Sequence, residues 1–297
     1  MNTIKIVLDW FPNTNHTGFY IALEKGYFKE AGLDVQISGD VHGVLDTHDA
    51  DIVLGPQISI LEKISEGVEL TSIATITQRC DSGIVSLKES GITSPKKLEG
   101  KRLTHWEPAW FHAVVGEAVR IDGGDYSKID LVQMDVGDIV STLGNTADAT
   151  WVYENWENQE LIEAGKEINY FALADVDPLF DFCAPCLAAT RQIIKERPDD
   201  IKNFLDCLDR AYIEVAHNPE ESILFVKEHM PKVSDELLIR SQKHLAKILL
   251  DKTGHWGYIA PERWNPMADF LVMQGICHKR GKTEYTNEFL PTPLKDE

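Results

Sequence analysis

The chain has 297 residues, of which 43% are hydrophobic and 26% charged, and its net charge is −19. This length is more than one hydrophobic core usually fills, so two lobes are expected. The negative charge is spread along the chain without a basic stripe, which excludes nucleic acid as a partner because phosphate binding needs clustered Lys and Arg.

The first residues and the cysteines bear on the compartment. No run of 18 apolar residues occurs, so no membrane span is predicted. The start, MNTIKIVLDW, lacks the basic and long apolar regions of a secretory signal, and the five cysteines show no disulfide spacing. We therefore expect a cytoplasmic protein; the alternative is a periplasmic protein or cell-surface lipoprotein whose leader was removed.

Strands and helices alternate through the first 78 residues. This alternation predicts a mostly parallel sheet, with ligands outside the carboxyl ends of its strands. The predicted elements are a strand at 4–10, a helix at 17–33, strands at 34–39 and 50–55, a helix at 56–67 and a strand at 70–78.

A second α/β segment begins near residue 83, and the chain is mostly helical after about residue 190. This order predicts lobe 1 from residues 1–84 with 188–297, and lobe 2 from residues 85–187. The predicted elements are strands at 82–90, within 92–105 and at 149–155, and helices at 110–121, 198–217, 219–230, 233–250 and 261–278.

Four stretches carry a family resemblance. They are LDWFPNTNHTGFYIALEKGYFKEAGLDV, DADIVLGPQISI, GITSPKKLEGKRL and EYTNEFLP. Together they resemble the THI5/NMT1 family, most of all the pyrimidine-precursor-binding proteins of thiamine salvage transporters, and less closely the fungal synthase of hydroxymethylpyrimidine phosphate. The resemblance implies an α/β, two-lobed, type II periplasmic-binding-protein fold with a ligand cleft between the lobes.

The loop after the first strand is one candidate wall of that cleft. Trp10 directly follows the strand, and the family has a tryptophan there whose face suits a flat heterocycle. Asn15 and His16 offer donors and acceptors in the same loop. The alternatives are a core role for Trp10 and, with equal weight for Asn15, capping of the next helix.

The stretch DATWVYENWENQE is the second candidate wall. The resemblance places an acid of the cleft at Glu154, whose carboxylate can accept two hydrogen bonds from an aminopyrimidine. Because side chains alternate along a strand, Trp151 and Tyr153 should face away from Glu154. We expect Glu154 and Trp156 to contact the ligand, with Tyr153 in reserve and Trp151 in the core.

The stretch THWEPAWF stands where the synthase has a glycine-rich phosphate loop. Here Pro108 removes a donor, Glu107 repels an anion, and the aromatic residues block the backbone. We therefore expect no phosphorylated ligand, and expect Trp110 to stack on an uncharged ring.

The resemblance also raises the possibility of an enzyme. It implies a lysine that carries pyridoxal phosphate and a histidine that is consumed, and alignment puts Gly55 and Ser59 at these positions. Without the Schiff-base amine the covalent chemistry is lost. We therefore expect neither enzyme nor cofactor, and count Gly55 and Gln57 among the ligand-binding residues.

Cys183 and Cys186 form a lone C-x-x-C. A zinc site needs a second ligand pair, which no nearby motif supplies, so we expect no metal and favour two small buried side chains over a redox pair. Because this segment returns between the lobes in the family, Phe182 or Cys183 is expected to touch the ligand.

These residues predict a binder of a small flat heterocycle, hydroxymethyl- or formylamino-pyrimidine, held by lobe closure. An exported protein would have an ABC transporter permease as its partner; the alternative is a cytosolic relative. A synthase-like enzyme and a binder of a sulfonate or riboflavin also stay open.

Overall fold

The structure is a computed structural model and describes residues 1–39, 49–106, 109–134 and 137–291. Glu107 and Pro108, on which the expectation of an unphosphorylated ligand depends, lie outside these ranges. The strands in the described residues are β1 Asn2–Leu8, β2 Leu33–Gly39, β3 Ile52–Gly55, β4 Leu70–Thr75, β5 Ser82–Leu87, β6 Arg102–His105, β7 Asp130–Gln133, β8 Ala149–Tyr153, β9 Ile168–Ala172 and β10 Cys186–Thr190.

Helices form in all seven predicted regions of the described chain, one of them broken in two, and four short helices between residues 139 and 196 are not predicted from the sequence. The helix expected at 17–33 is two helices, because Gly26 adopts a left-handed conformation with φ 78°. The helices are α1 Thr17–Glu24, α2 Tyr27–Glu30, α3 Gln57–Ser65, α4 Ala109–Ile121, α5 Ile139–Thr142, α6 Gln159–Glu163, α7 Leu173–Val176, α8 Arg191–Glu196, α9 Pro198–His217, α10 Pro219–Lys227, α11 Asp235–Leu245 and α12 Pro261–Met273.

The chain divides into two compact units. Unit 1 comprises residues 1–78 and 183–297, and unit 2 comprises residues 79–182. The sequence placed the boundaries a few residues later, inside β5 and β10. Each strand belongs whole to one unit, because β5 pairs with β8 and β9 whereas β10 pairs with β3 and β4.

Unit 1 is built on a five-stranded sheet in the order β2-β1-β3-β10-β4. β1 runs parallel to β2 and β3, whereas β10 is antiparallel to both of its neighbours. Helix α9 buries an apolar stripe at three- and four-residue spacing against this unit's core. In that core, Tyr212 stacks on Trp256 with ring centroids 4.5 Å apart, and Phe28 stacks on Phe204 at 5.4 Å.

Unit 2 has its own five-stranded sheet, in the order β7-β6-β8-β5-β9. β6 is parallel to β7 and β8, and β5 is antiparallel to β8 and β9. Both sheets are therefore mixed. The strands β7 and β9 were not predicted from the sequence, since they are short and only half-buried and so lack a clear apolar alternation.

Two further features of the described chain concern its helices and its cysteines. No helix in the described ranges is long and apolar enough to cross a bilayer. The five cysteines are buried free thiols.

Candidate functional site

Parallel strands end at the same edge of each sheet, and the candidate side chains follow those ends. In unit 1, β1 leads into residues 9–16 (the first loop) and β3 ends at Gly55. In unit 2, β6 leads into Trp106, and β8 leads into Glu154–Asn158 (the acidic turn).

The first loop is organised around His16, which is fully buried. The backbone N–H of Asn13 donates to His16 Nδ1 at 3.1 Å, and His16 Nε2 lies 2.9 Å from Asp9 Oδ1. Since a backbone N–H only donates, Nδ1 is the acceptor and Nε2 carries the proton that is donated to Asp9. Both ring nitrogens are therefore used inside unit 1, and His16 orients the Asp9 carboxylate.

Hydrogen bonds within the first loop and from helix α9 hold the rest of the loop in place. Asn13 accepts a hydrogen bond from the N–H of Asn15 and caps the short 3₁₀ turn Thr14–His16. The Tyr212 hydroxyl donates to the Asn15 carbonyl at 2.6 Å. Trp10 is 36% exposed, in contrast to the buried members of the loop, so it is the aromatic face that this loop offers.

The turn after β3 is occupied by hydrogen bonds of the fold. Gln57 is fully buried; its Nε2 donates to the Trp264 carbonyl at 2.7 Å, and its Oε1 accepts from the Cys183 N–H at 3.0 Å. Gly55 is paired with Cys186 in the sheet. Gln57 thus holds the segment that precedes β10, and burial raises the pKa of the Cys186 thiol, as suits a structural cysteine.

The acidic turn is a single π-helical turn in unit 2. Such turns are rare and occur often at functional sites. It is anchored by Asp81, whose carbonyl accepts from the Glu154 N–H at 2.9 Å and whose Oδ2 accepts from the Asn155 N–H at 3.1 Å. Glu157 Oε2 in turn accepts from the Tyr153 N–H at 2.9 Å.

The carboxyls around the acidic turn are electrostatically unusual. Asp81 and Glu157 are each 6% exposed. Burial raises the pKa of Asp81 to about 7, with a further contribution from Glu154, and burial raises the pKa of Glu157 to about 7, with contributions from Glu160 and Asp81. Both acids therefore titrate near neutral pH, which is a property common among residues of functional sites.

Some of the residues at the end of β8 are predicted from the sequence as ligand-binding residues, and others are not. Glu154 and Tyr153 are half-buried at the end of β8, whereas Trp156 and Phe182 are buried within unit 2. Asp81 is not predicted from the sequence, because the hydrogen bond that joins its side chain to the acidic turn spans 74 residues.

Aromatic rings crowd the end of β6. The aromatic cluster consists of Trp106, Trp110, Phe111 and Trp151. Trp106 is 38% exposed, whereas Trp110 is 5% and Trp151 is 2% exposed. The ring predicted to stack, Trp110, is thus buried beside Trp106, which the sequence reasoning did not select.

These features set the chemistry that the two units can perform. An exposed indole face suits a flat ring, and carboxylates suit amino and ring N–H donors. No group of three or more His, Cys, Asp or Glu within the described ranges is arranged to hold a metal ion.

Sequence comparisons point to one family. The family model described as "NMT1/THI5 like" matches residues 13–222. A protein of Halalkalibacterium halodurans named formylaminopyrimidine-binding protein is 26% identical over 290 residues, covering 91% of this chain and 85% of the relative. A protein of Candida albicans named 4-amino-5-hydroxymethyl-2-methylpyrimidine phosphate synthase is 26% identical over 319 residues, covering 100% and 90%.

Solved structures share the fold at low identity. The periplasmic aliphatic sulphonate binding protein SsuA of Escherichia coli matches with a TM-score of 0.73 at 12% identity, covering 94% of each chain. A Candida albicans protein with the generic periplasmic binding protein fold matches with a TM-score of 0.67 at 16% identity, covering 97% of each chain. The predicted α/β periplasmic-binding-protein fold is confirmed.

Proposed function

The chain belongs to the NMT1/THI5-like family, and from that premise we propose that it binds a thiamine pyrimidine precursor, hydroxymethyl- or formylamino-pyrimidine, without transforming it. The observation that carries the proposal is the acidic turn, which places Glu154 at the end of β8 beside the buried carboxyls of Asp81 and Glu157. An aminopyrimidine presents the amino donor that such carboxylates accept. The relative named formylaminopyrimidine-binding protein supports this ligand class.

In this proposal the residues have distinct roles. Trp10 supplies a stacking face, and Glu154 accepts hydrogen bonds from the exocyclic amine and fixes the ring's orientation. Asn15 and Tyr153 are additional polar contacts. His16 and Gln57, whose polar atoms are used in unit 1, act as positioning residues for Asp9 and for the segment around Cys183.

A synthase is the second candidate, because relatives carrying that name match the whole chain. The family resemblance implies that the synthase's lysine and histidine would correspond to Gly55 and Ser59, which have neither an amine nor an imidazole. We propose binding alone for this reason. Absorbance of the purified protein during titration with pyridoxal phosphate distinguishes the two functions: a Schiff-base band together with turnover to the phosphorylated pyrimidine would overturn the proposal.

The proposal extends to a partner. As the substrate-binding component of an uptake system, the chain would deliver its ligand to an ABC transporter permease. A cytosolic relative would keep the ligand site and lack that contact. Membrane fractionation with and without the cognate permease, using the full chain, separates these two cases.

Thermal unfolding with a ligand panel tests the ligand class. The panel contains hydroxymethylpyrimidine, formylaminopyrimidine, thiamine, riboflavin and an alkanesulfonate. A ligand present at 100 times its dissociation constant stabilises the folded state by about 2.7 kcal/mol. We expect this for the two pyrimidines; stabilisation by riboflavin or the sulfonate alone would reject the pyrimidine assignment.

Lobe closure stays a prediction of the family resemblance, and it has its own test. Ligand that binds a closed state better shifts the population toward that state. Small-angle X-ray scattering should then show a smaller radius of gyration with saturating hydroxymethylpyrimidine than without it. An unchanged scattering curve under conditions where calorimetry shows saturation would argue against closure.

A further inference from the structure

Trp106 stands out among the aromatic residues of unit 2 by its exposure. It is 38% exposed, whereas its three neighbours in the aromatic cluster are at most 5% exposed. It directly follows β6, which lies between its two parallel partners β7 and β8 in the sheet. The carboxyl ends of such parallel strands are where α/β sheets bind ligands.

The neighbouring rings hold the Trp106 indole in one orientation. Its centroid lies 5.6 Å from that of Trp110 at an interplanar angle of 74°, and 6.4 Å from that of Trp151 at 83°. Phe111 packs at 5.3 Å and 60°. These edge-to-face contacts are favourable aromatic geometries, and they restrict the side chain before any ligand arrives. A preorganised indole loses little entropy when a ring stacks on it.

The surroundings of the indole favour an uncharged ring. The described residues that flank it, His105 and Ala109–His112, include neither Lys nor Arg. None of the four side chains of the aromatic cluster is charged, so the cluster itself offers no permanent cation to a phosphate. Aromatic faces, in contrast, bind flat heterocycles irrespective of their hydrogen-bonding edge.

Two buried polar atoms beside Trp106 also indicate a functional rather than a purely structural arrangement. Trp151 Nε1 and His105 Nδ1 are enclosed and have no hydrogen-bond partner within the described part of the chain. Trp151 is 2% and His105 9% exposed. Buried polar atoms are nearly always paired, and departures from this rule concentrate at functional sites.

We propose that Trp106 is a ligand-binding residue of unit 2, whose exposed indole stacks on the uncharged flat ring of the ligand while Trp110, Phe111 and Trp151 hold it in place. This rests on the proposed function and assigns to Trp106 the stacking role that we expected of Trp110 from its place in the sequence. Because the aromatic cluster offers no cation to a phosphate, we also expect a preference for the unphosphorylated over the phosphorylated pyrimidine.

Calorimetric titration of the full chain with hydroxymethylpyrimidine tests the proposal. Stacking on an aromatic side chain is lost on truncation to alanine, so Trp106→Ala should weaken binding by about 5- to 150-fold. Trp106→Leu keeps apolar bulk without a flat ring and should weaken binding similarly, whereas Trp106→Phe should retain most of the affinity. Ile121→Ala, at the other end of α4 and 36% exposed, is the matched control and should bind like the parent protein.

Far-ultraviolet circular dichroism selects the variants that fold, and Trp106→Leu replaces Trp106→Ala if the latter does not. If folded Trp106→Ala or Trp106→Leu binds hydroxymethylpyrimidine within twofold of the parent's affinity, the inference is overturned and the proposed function still stands. Equal affinity of the parent for hydroxymethylpyrimidine and its phosphate overturns the preference for an uncharged ligand. If the parent binds no pyrimidine, the proposed function and this inference both fail.

Discussion

The hydroxyl of Tyr212 donates a hydrogen bond to the backbone carbonyl of Asn15 at 2.6 Å, which joins helix α9 to the first loop of unit 1. Tyr212 is fully buried, and its ring stacks on Trp256, whose indole N–H donates to the Ile76 carbonyl at 3.0 Å. The loop that carries Trp10 is therefore braced by core residues nearly 200 positions away in the sequence.

Removal of this hydroxyl should weaken both folding and binding. Tyr212→Phe keeps the stacked ring and removes the hydrogen bond from the Tyr212 hydroxyl to the Asn15 carbonyl, at a cost of about 1–3 kcal/mol in the free energy of unfolding. Because the first loop loses a restraint, we also expect weaker binding of hydroxymethylpyrimidine in calorimetry. Tyr27→Phe, whose hydroxyl meets Glu214 at 3.1 Å away from this loop, is the control and should leave affinity unchanged.

Replacement of Glu154 tests the orienting carboxylate. Glu154→Gln keeps the side chain's size but exchanges an acceptor oxygen for a donor, so it should lose a charge-assisted hydrogen bond to the ligand's amine. We expect affinity for hydroxymethylpyrimidine to fall by about 10-fold or more, since hydrogen bonds to charged groups are worth about 1.5–3 kcal/mol. Glu167→Gln, an exposed position of the same unit, should not change affinity. Undiminished affinity in Glu154→Gln would remove Glu154 from the site.

The raised pKa values of Asp81 and Glu157, both about 7, predict that acid stabilises unit 2. In the unfolded chain these groups titrate near pH 4, so between about pH 4 and pH 7 the folded protein binds more protons. The free energy of unfolding contributed by these groups therefore falls as pH rises through that window, by at most about 4 kcal/mol for each group.

Urea unfolding at pH 5 and pH 8 checks this sign. The double variant Asp81→Asn, Glu157→Gln removes both titrations while keeping acceptor oxygens, so its stability relative to the parent should be higher at pH 8 than at pH 5. Asp175→Asn, at a surface position, should show no such difference. A relative stability that is the same at both pH values would show that the two carboxyls do not titrate near neutrality.

Much of the architecture was predictable because it rests on local patterns. The β-branched run of β1, the helical spacing of α1 and the placement of Trp10 between them follow from residues that are neighbours in the sequence. The helical phase of α4 also held usable information: Trp110 shares a face with Val114, which is buried, so burial of Trp110 follows from the period of the helix.

Other features depend on contacts between distant segments. Nothing near Asp81 in the sequence indicates that its carboxyl receives the N–H of Asn155, and nothing near Asn15 indicates that Tyr212 binds its carbonyl. Likewise, both ring nitrogens of His16 are used inside unit 1, which the sequence could not show because a histidine's partners depend on the folded backbone. Asp81, Tyr212 and His16 hold other parts of the fold in position, and this role can be told from ligand contact only in the folded structure.

Two helical glycines provide a paired test of how tightly Tyr212 is held. A Cβ at Gly18 would lie 2.6 Å from Tyr212 Cε2, whereas a Cβ at Gly116 would lie 3.6 Å from Tyr126 Cγ, an ordinary contact. Tyr212 cannot withdraw, because its ring is fully buried and stacked at 9° on Trp256. Gly18→Ala should therefore lower the free energy of unfolding by about 1–3 kcal/mol through overpacking, and Gly116→Ala should raise it by about 0.5–1 kcal/mol through helix propensity.

Because a displaced Tyr212 also releases Asn15, Gly18→Ala should weaken ligand binding as Tyr212→Phe does, while Gly116→Ala should not. Urea unfolding and calorimetry of the two variants measure both effects, and equal behaviour of the pair would mean that the Tyr212 ring yields and does not brace the first loop.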